Sequence, residues 1–288
     1  MTPSTGQSGS TLRDAMDLIL LSGDCFRAPP LTLLGDHPLF GGQVAAQALA
    51  AASRTVPPDR IAQSVHSYFL QPARPREPVD LRVRRDRDGR RYAWRSVTAL
   101  QDCGPVLEMS CLFARSKTGA DFQAASMPSV PSPAEMDSHP LETIGAGLET
   151  TPPDASRLLD LEARFFEDPE PWIGGPPRLW LRIHEPLPDE HIAHACGVIF
   201  LSDMSNGLAT VPQAGPESRL ITLDHTVWLH RPCRADDWLL MDLQPHTTSG
   251  GRGFYTGKMF DQQGAHVATL AQDCLFDTPP AGPQTAIA

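Results

Sequence analysis

Three polar residues in the second half of the sequence stand in apolar surroundings. Asp203 closes the helix-like stretch DEHIAHACGVIFLSD, in which Ile192, Cys196, Ile199 and Phe200 form an apolar stripe. A carboxylate at that end faces the negative pole of the helix dipole. It therefore needs a compensating hydrogen-bond donor, or it serves as a base. Gln272 interrupts the otherwise apolar strand pattern HVATLAQDCLF. A buried amide must be hydrogen-bonded, either to a structural group or to a water held for reaction. Between them, LITLDHTVWLHRP alternates as a strand should, with Thr222, Asp224 and Thr226 on one face and Leu223, His225 and Val227 on the other.

The first half offers a different kind of site. In PLFGGQVAAQALAAA, Gly41 and Gly42 precede nine residues, Val44 to Ala52, that are apolar except for Gln47. Such a helix, expected over 43–54, must be buried on nearly every side. Two bare glycines at its start either shape a turn or let a ligand approach the backbone, where N–H groups and the positive dipole end can hold a carbonyl oxygen or an anion. Further on, RVRRDRDGRRYAWR holds seven arginines around an Asp-Gly turn, a hairpin signal. It is either a contact for a phosphate-bearing ligand or a solvated hairpin partly neutralised by Asp86 and Asp88.

The elements that must position these groups occur twice. FLQP at 69–72, a turn at 102–104 and CLF at 111–113 are matched in order by LHRP at 229–232, a turn at 262–264 and CLF at 274–276. Each tetrapeptide follows a helix-like segment (43–54 and 190–201), and strand-like runs such as YAWRSVTAL and WLLMDLQ lie between the tetrapeptide and CLF. Each half thus reads as one helix followed by an antiparallel sheet, the alanine-rich helix being thin enough for a curved sheet to wrap. The fold class is α+β. The proline-rich stretch 116–156 reads as a connection between halves at 12–115 and 157–277, with disordered tails before residue 12 and over 278–288.

Composition excludes several classes. The chain has 288 residues, 41% of them hydrophobic, and a formal net charge of -10, which argues against nonspecific nucleic-acid binding. No apolar run is long enough for a membrane span and the N-terminus lacks signal-peptide features, so a soluble, cytoplasmic protein is expected. Six scattered cysteines without a C-x-x-C pair suggest buried free thiols. There is no G-x-S-x-G elbow, Walker loop or G-x-G-x-x-G before a helix. His191 and His194 have ligand-like spacing, but no carboxylate–histidine set completes a site, and no metal is expected.

Taken together, LFGGQVAAQAL, VHSYFLQP, RDGRRYAWRSVTALQ, LDHTVWLHRPCRADDWLLMD and SGGRGFYTGKMFDQQGAHVATLAQD resemble, in order, the motifs of the acyl-CoA thioesterase II family, across roughly residues 12 to 277. The resemblance implies two fused hotdog domains, each an antiparallel sheet around a central helix. It implies hydrolysis of acyl-CoA to free acid and CoA without metal, covalent intermediate or redox cofactor. An Asp, a Thr and a Gln hold and polarise the attacking water in that family; carried across, these are Asp203, Thr222 and Gln272. Gly41 and Gly42 are then one location for oxyanion donors, and Arg90 and Arg252 are proposed contacts for CoA phosphates. The sequence departs from the family at Asp273-Cys274 after Gln272, where Glu-Gly is usual, and in a shortened stretch between Asp203 and Thr222.

Two rival readings are a hotdog hydratase or dehydratase, for which His66 or His225 would supply the histidine, and a non-catalytic acyl-CoA binding protein. Two hotdogs in one chain already supply the pairing that single-hotdog proteins obtain by dimerising, and exposed sheet edges leave homo-oligomerisation open.

Overall fold

The computed structural model describes residues 11–30, 38–136, 160–166, 177–208, 211 and 219–277. The expected C-terminal tail and residues 137–156 of the expected connection lie outside them.

Twelve strands form one antiparallel sheet among the described residues. In chain order they are β1 (Ile19–Ser22), β2 (Cys25–Ala28), β3 (Arg60–Phe69), β4 (Val79–Asp88), β5 (Tyr92–Gln101), β6 (Gly104–Arg115), β7 (Leu161–Phe165), β8 (Arg178–Ile183), β9 (Arg219–Leu229), β10 (Leu239–Ser249), β11 (Arg252–Asp261) and β12 (His266–Asp277). Outward from the middle the first half runs β3, β6, β5, β4, β2, β1, and the second runs β9, β12, β11, β10, β8, β7. The two orders correspond place by place. The halves join where β3 pairs with β9, His66 facing Thr226 at the centre of a register that runs from Ser64 opposite Trp228 to Tyr68 opposite Asp224.

Among the described residues a short helix, α1 (Leu12–Ala15), comes first, and two longer ones, α2 (Gly41–Ser53) and α3 (His191–Ser202), pack together on the inner face of the sheet. Alanine is the strongest helix former, and in α2 every residue from Gly42 to Ala52 is buried. The helix begins two residues earlier than expected, so the glycines are its first turn. Neither has a positive φ. Their lack of a side chain serves close approach: a Cβ on Gly42 would lie 2.8 Å from the Phe200 carbonyl oxygen and 3.0 Å from Asp203 Cβ. The start of α2 thus meets the end of α3, with Phe40 and Phe200 stacked edge to face beside the junction.

Both halves carry the same irregularity. In β3, Gln63 is an extra residue between Ala62, opposite Phe113, and Ser64, opposite Leu112. In β9, Leu223 is extra between Thr222, opposite Cys274, and Asp224, opposite Asp273. A bulge of this kind lets two residues oppose one and resets the alternation of faces. Counted from the bulges, Val65 pairs with Cys111 as His225 pairs with Gln272. The ladder therefore puts Cys111 in the place of Gln272, whereas the repeated CLF tripeptides would match Cys111 to Cys274. A two-residue offset keeps the alternation in step, and Cys274, like Cys111, is buried.

The stretch after β6 packs as part of the fold. Trp180, Leu240 and Phe260 point to the outer face of the second half and are covered by Ala125, Met127, Val130 and Met136. Trp180 Nε1 donates to the Pro131 carbonyl at 3.0 Å, while the Gln123 amide donates to Gly264 O and accepts from His266 N. The arginine stretch forms the expected hairpin, with Arg84 paired to Asp86, Arg85 to Asp24 and buried Arg95 to Asp88. No described helix is long and apolar enough to cross a membrane.

Candidate active site

Asp203 is the C-cap residue of α3 and is half-buried. Its position looks unfavourable within α3 alone, but α2 supplies the compensation. The Gly42 N–H donates to the carboxyl, and the Gln272 Nε2 amide lies 3.3 Å from Asp203 Oδ1. Phe40, the N-cap residue of α2, gives no side-chain cap. Asp203 thus takes the capping role in α2 from the other half of the chain. Burial pushes its carboxyl up to about 7, against the Gly42 and Gln272 hydrogen bonds, which pull it down. A carboxyl poised there can take up and release a proton near neutral pH.

Gln272, in β12, is almost wholly buried and makes contacts at both ends of its amide. Nε2 donates to Thr222 Oγ1 at 2.6 Å as well as reaching Asp203, and Oε1 lies 2.8 Å from His225 Nδ1. Strict alternation placed Thr222 and His225 on opposite faces of β9. The bulge at Leu223 corrects this, since both side chains meet the same inward-facing amide. His225 is fully buried, its Nε2 lies 2.8 Å from Ser202 Oγ, and burial lowers its pKa to about 4. Beside them Tyr255, also buried, donates to the Ser205 carbonyl. Ser202 and Tyr255 carried no signal in the sequence; each looks like an ordinary residue of a helix end or a strand.

The other residues singled out from the sequence stand elsewhere. Gly41 is at the cluster, where an added Cβ would lie 2.9 Å from Asp203 Oδ2. His66 is exposed on the outer face, against Thr226 and Trp228, because its neighbours Val65 and Ser67 occupy the inner one. Arg252 is also outside, ion-paired with Asp273, the residue after Gln272 that points the opposite way. Arg90 lies in the β4–β5 hairpin loop, where its carbonyl accepts from Arg60 just beyond the C-terminal end of α2. That is the opposite end of the helix from Gly42. His194 meets the Ala235 N–H and Asp236, and among the described residues no group of three His, Cys, Asp or Glu could hold a metal.

The corresponding place in the first half is chemically bare. Where the second half has Thr222, His225 and Gln272, the ladder of the first has Ala62, Val65 and Cys111. The burial of Cys111 pushes its thiol far up, so it stays protonated. α3 begins with His191 and Ile192 where α2 begins with two glycines. Among the described residues one composite cluster exists, built from the start of the first helix and the sheet of the second half.

Similarity to known proteins places the chain in a defined class. The family model of the acyl-CoA thioesterase N-terminal domain matches residues 33–114 and that of the C-terminal domain matches residues 124–276. The chain belongs to this family and is an acyl-CoA thioesterase. Its similarity to a solved acyl-CoA thioesterase II, TesB2 from Mycobacterium marinum, has a TM-score of 0.76 at 29% identity, covering 94% of this chain and 99% of that one. It is 27% identical to acyl-coenzyme A thioesterase 8 of Rattus norvegicus, over 92% of this chain and 88% of that protein. It is also 28% identical to acyl-CoA thioesterase 2 of Haemophilus influenzae, over 84% and 89%.

Proposed function

We propose that Asp203, Thr222 and Gln272 hold and activate the water that hydrolyses an acyl-CoA thioester, and that the two halves of the chain are two fused hotdog domains sharing this one centre. The observation that carries the reading is the Gln272 amide bridging Thr222 and the raised carboxyl of Asp203, beside the glycine-built first turn of α2. Ionised Asp203 accepts a proton from the water as its oxygen bonds to the thioester carbon. General base help of this kind supplies about 10²- to 10⁴-fold. The carbonyl oxygen gains the negative charge and is met by a backbone N–H. Gly42 is already engaged with Asp203, which leaves Gly41, the first N–H of the helix and free of any intrahelical acceptor, as the donor. The tetrahedral intermediate then expels CoA as thiolate, which takes the proton from Asp203, giving free acid and CoA.

Hydration of a double bond is less well supported. His66 points away from the cluster, and both ring nitrogens of His225 are occupied by Gln272 and Ser202. The six free thiols suit a reducing, cytoplasmic setting. The test is release of free CoA thiol from a panel of short, long and branched acyl-CoAs, beside Asp203→Asn. Release abolished in the variant is expected. Turnover retained in Asp203→Asn would remove Asp203 as the base, and binding without turnover in the wild type would make the chain a binding protein.

A further inference from the structure

We infer that His225, held by Ser202, is a positioning residue that locks the amide of Gln272 in the one orientation able to serve Asp203. This rests on the hydrolytic reading above. The carbonyl and amino ends of a glutamine amide are nearly alike in shape, and either could face the carboxyl. Only the amino end stabilises an ionised carboxylate; the reversed amide would set two oxygens against each other. Thr222 does not decide the matter, because a hydroxyl can donate or accept.

The imidazole can decide it. His225 has no access to solvent, and burial keeps it neutral, so it carries a single N–H. Ser202 is equally buried and lies 2.8 Å from Nε2, with the Ile199 carbonyl 2.9 Å away as a second acceptor for its hydroxyl. When the Ser202 hydroxyl turns to Nε2, the imidazole proton sits on Nδ1 and donates to Gln272 Oε1. The amide then presents Nε2 to Thr222 and Asp203. In that tautomer every hydrogen in the chain from Ser202 through His225 and Gln272 points toward the carboxylate, whereas a Ser202 hydroxyl kept on Ile199 would leave Nδ1 without its proton. In the first half the helix also ends in a serine, Ser53, but Val65 pairs with Cys111 where His225 pairs with Gln272, so the imidazole and the amide are missing with the rest of the cluster.

A pH profile reads the orientation, because the Gln272 amide pulls the Asp203 carboxyl down. The titratable groups facing that carboxyl are Tyr255 in β11, raised well above the usual tyrosine range, and Cys274 in β12, pushed up to about 12. With His225 lowered to about 4, all stay neutral across the working range.

The experiment compares His225→Leu, His225→Asn, Ser202→Ala and Asp203→Asn by kcat, KM and the acid limb of kcat against pH, with thermal unfolding to establish folding. His225→Leu is expected to lose about 10- to 100-fold in kcat with KM little changed, the loss of one hydrogen bond to a charged centre, and to move the acid limb upward. Asparagine places an N–H near the position of Nδ1, so His225→Asn recovers most of the rate and the original limb. Ser202→Ala falls between. A folded His225→Leu whose limb is unmoved, or a His225→Asn no better than leucine, overturns the proposal. Should the leucine variant not fold, an unchanged rate and limb in Ser202→Ala overturns it instead. Activity surviving in Asp203→Asn would sink the hydrolytic reading itself, whereas a dead Asp203→Asn beside an unmoved limb removes only the role of His225.

Discussion

The Gly42 N–H donates to the carboxyl of Asp203, so the C-cap residue of one helix caps the first turn of another. Two helix ends that would each be poorly satisfied alone are satisfied by meeting. The meeting also sets the proposed base next to the backbone N–H groups at the start of α2.

That contact makes Gly42 the sensitive glycine. An alanine Cβ there would lie 2.8 Å from the Phe200 carbonyl oxygen, which is backbone and cannot swing aside. Gly42→Ala is expected to cost about 1 to 3 kcal/mol of stability and most of the activity. Gly41→Ala would meet the ends of two side chains, Asp203 and Phe69. It is expected to lower kcat with a smaller change in unfolding temperature. Thermal unfolding and thiol-release kinetics on the two variants check the order.

The raised carboxyl of Asp203 gives two opposite pH dependences. In the proposed mechanism activity needs the ionised form, so kcat should climb through a pH of about 7 and level off above it. For stability, the folded pKa lies above the unfolded value of about 4. The contribution of the protonated group is therefore complete below about pH 4 and lost as pH rises through about 7. Asp203→Asn mimics the protonated form. It should match the wild type in unfolding temperature near pH 4 and exceed it at pH 8 by on the order of 5 °C.

Gln272→Glu would set a second carboxyl beside Asp203 and replace a donor by an acceptor. The acid limb should move to higher pH, and kcat should fall by about 100-fold. Thr222→Val removes the hydroxyl 2.6 Å from the amide, and a loss of about tenfold is expected, with Thr222→Ser close to wild type. A pH–rate profile for each variant distinguishes the two effects.

Outside the sheet, His66→Ala and Arg252→Ala are expected to leave kcat within about twofold, since neither reaches the cluster and an exposed ion pair contributes about 0 to 1 kcal/mol. A KM for acyl-CoA that rises tenfold in Arg252→Ala would instead bring the CoA head across the outer face.

The duplication and the two buried helices were legible in the sequence; Asp203, Thr222 and Gln272, which the fold brings within hydrogen-bond reach of one another, were joined there only by the family resemblance. Repeated tetrapeptides mark equivalent strand ends, and an alanine-rich run without a polar face has to be enclosed. The face of Thr222 was not legible, because one extra residue at Leu223 resets the alternation and nothing in the local pattern announces it. Nor could the sequence separate the outward arginines and His66 from inward groups, since charge and spacing do not say which side of a curved sheet a strand presents. The pairing of Gly42 with Asp203 spans the two halves and belongs to their packing.

The seam between β3 and β9 has a mechanical result. Five successive residue pairs cross it, from Ser64–Trp228 to Tyr68–Asp224, and the sheet continues through it without a break. A clamshell motion of the halves would have to tear that ladder and part the two helices at the same time. The continuous ladder therefore opposes any opening of the two halves at this seam.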